Sequence, residues 1–160
     1  MMAFFSGYPL LYAIIRFIAA GRPLGTGIKT RLVSFLPYGY ALVGTLYLGL
    51  QLRNLYPDFG IEHMHLPYLK AWAFLAIIFW IPSIARKPVL SLLHSLVFFF
   101  FIIKDLFLQL FSSTGDKEWV RNDMKLFTVS LLSNLAALLA IALVSFLFVR
   151  FRGDRKSSRL

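Results

Sequence analysis

Cysteine is absent from this chain of 160 residues. Without a thiol the chain forms neither a disulfide nor a thiolate metal site, and it has no cysteine nucleophile. Charged side chains are also scarce, at 15% of the residues, where a typical soluble domain has about a quarter. Hydrophobic residues make up 59%. That is more apolar surface than a soluble core of this size can hold, so the composition predicts an integral membrane protein.

Acidic residues are the rarer charged class, with 7 Asp and Glu against 17 Lys and Arg, for a formal net charge of +10. Such an excess could indicate nucleic-acid binding if the basic residues were clustered on one face. Here they flank the long apolar runs instead, where contact with anionic lipid headgroups accounts for them. We therefore expect the lipid bilayer, and not nucleic acid, to be the partner of these charges.

Five apolar runs are long enough, or nearly so, to cross the hydrocarbon layer of about 30 Å as helices. They cover residues 3–20, 32–52, 69–85, 89–111 and 126–149. We predict an all-α integral membrane protein in which residues 1–149 form one bundle of five transmembrane helices and residues 150–160 a basic cytoplasmic tail. The first run carries no ionisable side chain before Arg16, unlike the basic start of a secretory signal peptide, so we expect it to be retained.

Lys and Arg divide the connections between these runs into two groups. Residues 21–31, the turn at residues 86–88 and the tail after Val149 are strongly basic, whereas residues 53–70 and 112–125 balance basic with acidic side chains. Because basic connections stay in the cytoplasm, the pattern predicts an outside N-terminus and a cytoplasmic C-terminus. We expect the chain to reside in the cell membrane, with a bacterial inner membrane the favoured case.

Three of the seven prolines bear on the geometry of the apolar runs. Pro88 suits the first turn of a helix, where a missing N–H costs nothing, and the short turn before it makes the third and fourth runs antiparallel neighbours. Pro37 and Pro82 fall inside runs, and each is expected to kink its helix because it removes one backbone hydrogen bond.

Lys104 and Asp105 interrupt the apolar fourth run. Intramembrane charges are costly and often functional. The helix either ends near Ile103, with an interfacial turn following, or continues to Phe111 with both charges in the outer half of the bilayer. We favour the first alternative, because a lysine can reach the interface and Gln109 follows soon after.

Arg16 and His94 are further polar side chains inside apolar runs. Arg16 is expected near the cytoplasmic end of the first helix. A lone imidazole could relay protons or bind haem, but a haem in a helical bundle generally needs two histidines and no other run has one. A hydrogen-bonded packing role is therefore favoured for His94, and we predict no cofactor.

His63 and His65 form an HxH pair in the second connection and are weak metal-ligand candidates. Since nothing in the sequence fixes a third or fourth ligand, we predict no metal site there.

Small and polar residues repeat at helical spacing in two runs. In the second run they are Ala41, Thr45 and Gly49, and in the fifth they are Ser130, Ser133, Asn134 and Ala137. Small residues let helix backbones approach closely in lipid, so both sets are predicted to form helix-packing faces.

The sequence contains no acid pair, nucleophile with a base, metal constellation or phosphate loop, which argues against an enzyme. Its 17 phenylalanines exceed what a small bundle can bury. We therefore predict a non-catalytic subunit of a larger membrane assembly, packed against other integral membrane subunits or a second copy. One alternative is a small channel or transporter lined by Lys104, Asp105, His94 and Asn134. Another is a lipid- or quinone-handling enzyme using Tyr12, Arg16 and His94.

Overall fold

The computed structural model describes residues 1–21, 26–55, 67–111 and 117–157. This part of the chain contains helices and short turns but no strand, which confirms the all-α prediction. Its elements are α1 (Met2–Phe5), α2 (Tyr8–Gly21), α3 (Thr26–Leu55), α4 (Pro67–Phe74), a 3₁₀ helix (Leu75–Trp80), α5 (Pro82–Ala85), α6 (Pro88–Phe111) and α7 (Lys117–Ser157).

Within these ranges, 4 helical stretches are long and apolar enough to cross a bilayer. They are Met2–Ala19 across α1 and α2, Arg31–Asn54 in α3, Pro88–Leu108 in α6 and Asn122–Arg150 in α7. They correspond to the first, second, fourth and fifth predicted runs. By length and composition, the chain is compatible with a multi-pass membrane protein.

The third predicted run is built differently, because its helix is interrupted. The apolar stretch Tyr68–Trp80 is shorter than the other four and passes from α4 into the 3₁₀ helix. Ile81 then adopts an extended backbone, with φ −72° and ψ 119°, before Pro82 starts α5. Proline disfavours the helical conformation in the residue before it, so the kink predicted at Pro82 is a complete break. Pro37, by contrast, lies inside α3, which continues on both sides of it.

The fourth run forms a single helix that begins at Pro88 and ends at Phe111. Pro88 occupies the predicted place in the first turn, but the preference for a helix ending near Ile103 was wrong. Lys104 and Asp105 are exposed on the outside of the bundle, so the helix continues without placing either charge in the protein core. Beyond them, the rings of Phe107 and Phe111 pack one helical turn apart with centroids 4.4 Å apart, a spacing that supports the last turn.

The core is aromatic and is centred on α3, which contacts α7, the 3₁₀ helix, α2 and α6. Tyr40 and Tyr47 from α3 are buried beside Phe5 from α1 and Phe98 from α6. The ring of Phe5 stacks on Phe98 at 4.9 Å and meets the edges of Tyr40 and Tyr47 at 5.6 and 5.4 Å. Edge-to-face and offset contacts of this kind are the favoured arrangements of aromatic pairs.

Candidate functional site

His94 is at the centre of a polar group that five residues form inside the bundle: Tyr8, Tyr40, Trp72, Ser91 and His94, here called the His94 cluster. The Tyr40 hydroxyl lies 2.7 Å from Nδ1 of His94. Nε2 of His94 lies 2.9 Å from the backbone carbonyl of Trp72, and the indole N–H of Trp72 donates back to the carbonyl of His94 at 3.1 Å. The indole also stacks on the imidazole, with centroids 4.9 Å apart and planes 8° apart. Trp72 and His94 are therefore held together by two hydrogen bonds and one ring face.

The hydrogen-bond partners determine the tautomer of His94. A backbone carbonyl can only accept, so Nε2 carries the hydrogen in its bond to Trp72. In a neutral imidazole Nδ1 is then the acceptor, and the Tyr40 hydroxyl is the donor. Since both ring nitrogens are engaged within the protein, His94 could bind a metal or a haem only by breaking one of these bonds.

Tyr8 and Ser91 extend the His94 cluster to the start of α6. The Ser91 hydroxyl donates to the Pro88 carbonyl at 2.7 Å, so the Tyr8 hydroxyl, 2.7 Å from Ser91 Oγ, donates to that oxygen. The Tyr8 and Tyr40 rings lie 4.4 Å apart. The cluster thus links α2, α3, α4 and α6 through side chains whose hydrogen bonds end on backbone carbonyls.

A second polar contact joins α7 to the break between α1 and α2. The Gly7 N–H donates to Ser130 Oγ at 2.8 Å, and Nδ2 of Asn134 donates to the Phe4 carbonyl at 2.6 Å and to the Ser130 carbonyl at 2.8 Å. Backbone groups at an interrupted helix need partners when no water is present. Ser130 and Asn134, one turn apart on α7, provide them, and we call this contact the Ser130–Asn134 clamp.

The clamp requires a glycine at position 7. A Cβ atom there would meet the backbone of Leu131 and would lie 2.8 Å from the Ser130 carbonyl carbon, closer than real Cβ atoms approach. Ser130, Asn134 and Ala137 are buried on this face of α7, while Ser133 is partly buried. One side chain atom of the clamp, Oδ1 of Asn134, is buried with no partner among the described residues.

The packing face of α3 differs from the predicted one. Ala41 is fully buried, but Thr45 is exposed and Gly49 has no atom within 4 Å of a Cβ placed on it. Thr45 instead donates to the Ala41 carbonyl and accepts from the Trp80 indole, at 2.9 Å each. The close approaches of α3 are made by Gly39, against the Leu138 backbone, and Gly44, against Ala76. Thr45 thus contacts the 3₁₀ helix through a hydrogen bond and not through close backbone packing, and Gly49 makes no close contact among the described residues.

The remaining candidate side chains are not brought together. Lys104 and Asp105 are exposed on α6, away from the buried His94 and Asn134. Of the four residues suggested for a transport pathway, two are therefore on the exterior. The other two, His94 and Asn134, belong to separate interior contacts.

The three residues suggested for an enzyme are divided in the same way. Tyr12 is buried, whereas Arg16 is exposed and lines a cleft with Arg86 rather than a site with His94.

His63 and His65 lie outside the described residues. Within the described residues, no group of three or more His, Asp and Glu side chains is placed to hold a metal ion.

Sequence reasoning did not identify Tyr40, Trp72 and Gly7. Tyr40 lies among small residues, Trp72 has the sequence position of an aromatic residue at the membrane interface, and Gly7 is not part of a recognisable sequence motif. The available signal was the scarcity of polar atoms in these runs, since each His, Tyr and Trp in lipid needs a hydrogen-bond partner from another helix.

No protein-family model matches the chain, and neither the curated proteins nor the solved structures include a significant match.

Proposed function

We propose that this chain is a non-catalytic integral membrane subunit of a larger membrane assembly. The observation that carries the proposal is the outer face of α6, which consists of Phe100, Lys104, Phe107 and Phe111 at helical spacing. Lys104 is exposed, and the three rings are 65%, 59% and 74% exposed. In contrast, the polar side chains of the His94 cluster and of the clamp are directed to partners inside the bundle.

On this side of α6, Asp105 is the side chain that requires a partner from another helix. It is exposed beside the outer face of α6, with Leu108 one turn further on and 56% exposed. A lysine side chain can extend to the interface, but the short aspartate side chain cannot. A charge at the centre of a membrane helix costs roughly 2.5–3.5 kcal/mol, and the cost decreases towards the interface. A neighbouring transmembrane helix with a basic or hydrogen-bond-donating side chain would offset the energetic cost of the Asp105 charge.

A bundle that crosses the bilayer five times, with an outside N-terminus and a cytoplasmic C-terminus, is part of this proposal. Arg16 and Arg86 line one cleft, and Arg31 lines another with Val149, so basic residues from the first run and from two connections gather at the end of the bundle where the last run leads into the basic tail. At the Met1 amine, burial and the nearby positive charge of Lys70 lower the pKa, which puts Lys70 near Met1. The third run would then lead from the Met1 end to the arginine end.

The length of the third run is sufficient for this crossing. A 3₁₀ helix rises about 2.0 Å per residue against 1.5 Å for an α-helix. Residues Pro67–Trp80 therefore extend about 24 Å, and the stretch to Ala85 about 33 Å if its pieces run end to end. This matches the hydrocarbon thickness of about 30 Å. A basic end in the cytoplasm fits the cell membrane, with a bacterial inner membrane as the favoured case.

A photo-crosslinking residue at Phe107 tests the assembly. We expect it to give one discrete protein adduct in intact membranes, because Phe107 would face the partner. The matched control is Leu46 on α3, which is 57% exposed and should give only lipid adducts. Replacing Asp105 by Leu should abolish the Phe107 adduct while leaving the fold intact. Lipid adducts alone at both positions would count against the proposal.

Reconstitution into liposomes separates this proposal from the transport alternative. We expect ion and proton flux equal to that of empty liposomes. Flux that is present and is lost on Asp105→Asn would favour a channel or transporter instead.

A further inference from the structure

A basic cleft opens between the helix ends at the arginine-rich end of the bundle. Its volume is about 450 Å³. Its polar lining residues are Arg16 from α2, Ser34 from α3 and Arg86 from the turn after α5. Between these polar groups its wall is apolar, with Val33, Ala85 and Pro88 among the lining residues. The cleft therefore combines two fixed positive charges with a hydrophobic surface.

We propose that this cleft binds one anionic phospholipid, with its phosphate between the guanidinium groups of Arg16 and Arg86 and the start of an acyl chain against the apolar wall. This inference does not depend on the proposed assembly. It would hold equally for a monomer.

The arginines are the groups that can bind the phosphate. Each guanidinium presents five N–H donors in a planar fork that matches two phosphate oxygens. The Ser34 hydroxyl already donates to the Arg31 carbonyl at 2.7 Å, so it is not available as a donor. None of the described residues that line the cleft is acidic. Neither arginine is therefore neutralised from within the cleft.

The apolar wall favours a lipid over a soluble anion. A free phosphate would satisfy the two arginines but would leave the surface of Val33, Ala85 and Pro88 in water. A phospholipid covers that surface with hydrocarbon and presents its phosphate at the same depth. Basic pockets between helices at the cytoplasmic side of a membrane are typical sites for anionic headgroups, since that leaflet is rich in them.

Native mass spectrometry of the purified full-length chain in detergent, titrated with phosphatidylglycerol or phosphatidylcholine, tests the site. We expect one tightly bound phosphatidylglycerol and weaker binding of phosphatidylcholine, whose net charge is zero. In the double variant Arg16→Gln/Arg86→Gln the affinity for phosphatidylglycerol should fall roughly 30-fold, since each basic residue near an anionic surface contributes about a factor of five. Equal binding of the two lipids would overturn the proposal.

The matched control is the double variant Arg31→Gln/Lys87→Gln, which loses the same charge at the same end. Neither residue lines this cleft, because Arg31 lines a different one and Lys87 lines neither. Its affinity should remain close to that of the unaltered chain. An equal loss in both double variants would mean a general effect of surface charge and would overturn the specific site.

Inorganic phosphate in large excess distinguishes a lipid from a soluble ligand. It should fail to displace the bound phosphatidylglycerol, and displacement would overturn the lipid assignment. If the glutamine variant does not fold, Arg16→Lys/Arg86→Lys provides the test. Because an ammonium group cannot make the planar fork, its affinity should fall about fivefold. Unaltered affinity would contradict a site built on two arginines.

Discussion

Gly7 donates its backbone N–H to Ser130 across a separation of 123 positions in the sequence. The contact brings α7 so close to the break after α1 that a Cβ at position 7 would lie 2.6 Å from Cα of Leu131. The interrupted first helix and the polar face of α7 are therefore one structural unit. The clamp provides hydrogen-bond partners for the Gly7 N–H and the Phe4 carbonyl at the break.

A methyl group at position 7 should force these helices apart. We expect Gly7→Ala to destabilise the bundle by about 1–3 kcal/mol or more, because the neighbouring atoms are backbone and cannot rotate away. Gly49→Ala is the matched control, since no atom of the described residues lies within 4 Å of a Cβ placed at position 49. It should be stabilising by up to about 0.5–1 kcal/mol through helix propensity. Thermal unfolding in detergent compares the two. Equal melting temperatures would contradict the close packing.

Asn134 of the clamp should stabilise the fold through the N–H groups of its side-chain amide. We expect Asn134→Leu to cost about 1–2 kcal/mol, because it leaves the partly buried Phe4 carbonyl without its 2.6 Å partner. Ser133→Ala, at the partly buried neighbouring position, should change stability by less than about 0.5 kcal/mol. Urea or detergent-induced unfolding followed by circular dichroism measures both. A larger effect at Ser133 would mean that the polar face of α7 has been assigned to the wrong side.

Hydropathy could predict four of the helices because a span is a local property of about 20 residues. The third run behaved differently, since its 3₁₀ helix depends on how residues 75–80 contact α3 and α6. The end of α6 was missed for a related reason. The sequence shows that Lys104 and Asp105 are charged, but it does not show that both lie on the exterior of the bundle and not in its core.

The candidate sites depended even more on tertiary contacts. His94 was noticeable as a lone imidazole, yet its partners Tyr40 and Trp72 come from two other helices and have no fixed spacing from it. Similarly, whether Gly44 or Gly49 packs against a neighbouring element depends on how α3 is rotated about its own axis. Both residues are glycines in an apolar run, and only the position of Ala76 distinguishes them.

The bond between Tyr40 and His94 gives a third prediction. Tyr40→Phe keeps the ring but removes the donor, so Nδ1 of a buried His94 loses its partner at 2.7 Å. We expect a loss of about 1–3 kcal/mol in unfolding free energy. Tyr38→Phe is the control, because Tyr38 is only partly buried and should tolerate the change within about 0.5 kcal/mol. In the His94→Leu background, the effect of Tyr40→Phe should largely disappear. An undiminished effect there would show that Tyr40 stabilises the bundle without His94.

The absence of cysteine makes the topology directly measurable, since any introduced thiol is unique and the parent chain is an unlabelled background. Asn54 and Lys87 are both exposed and lie on either side of the interrupted third run. If that run crosses the bilayer, a membrane-impermeant maleimide added outside should label Asn54→Cys and leave Lys87→Cys unlabelled until the membrane is permeabilised. If it does not cross, both positions will react alike, because the third run is the apolar run that the sequence places between them. Ser157→Cys should follow Lys87→Cys, since two further helices return the chain to the same side. Opposite behaviour at position 157 would require either α6 or α7 not to cross.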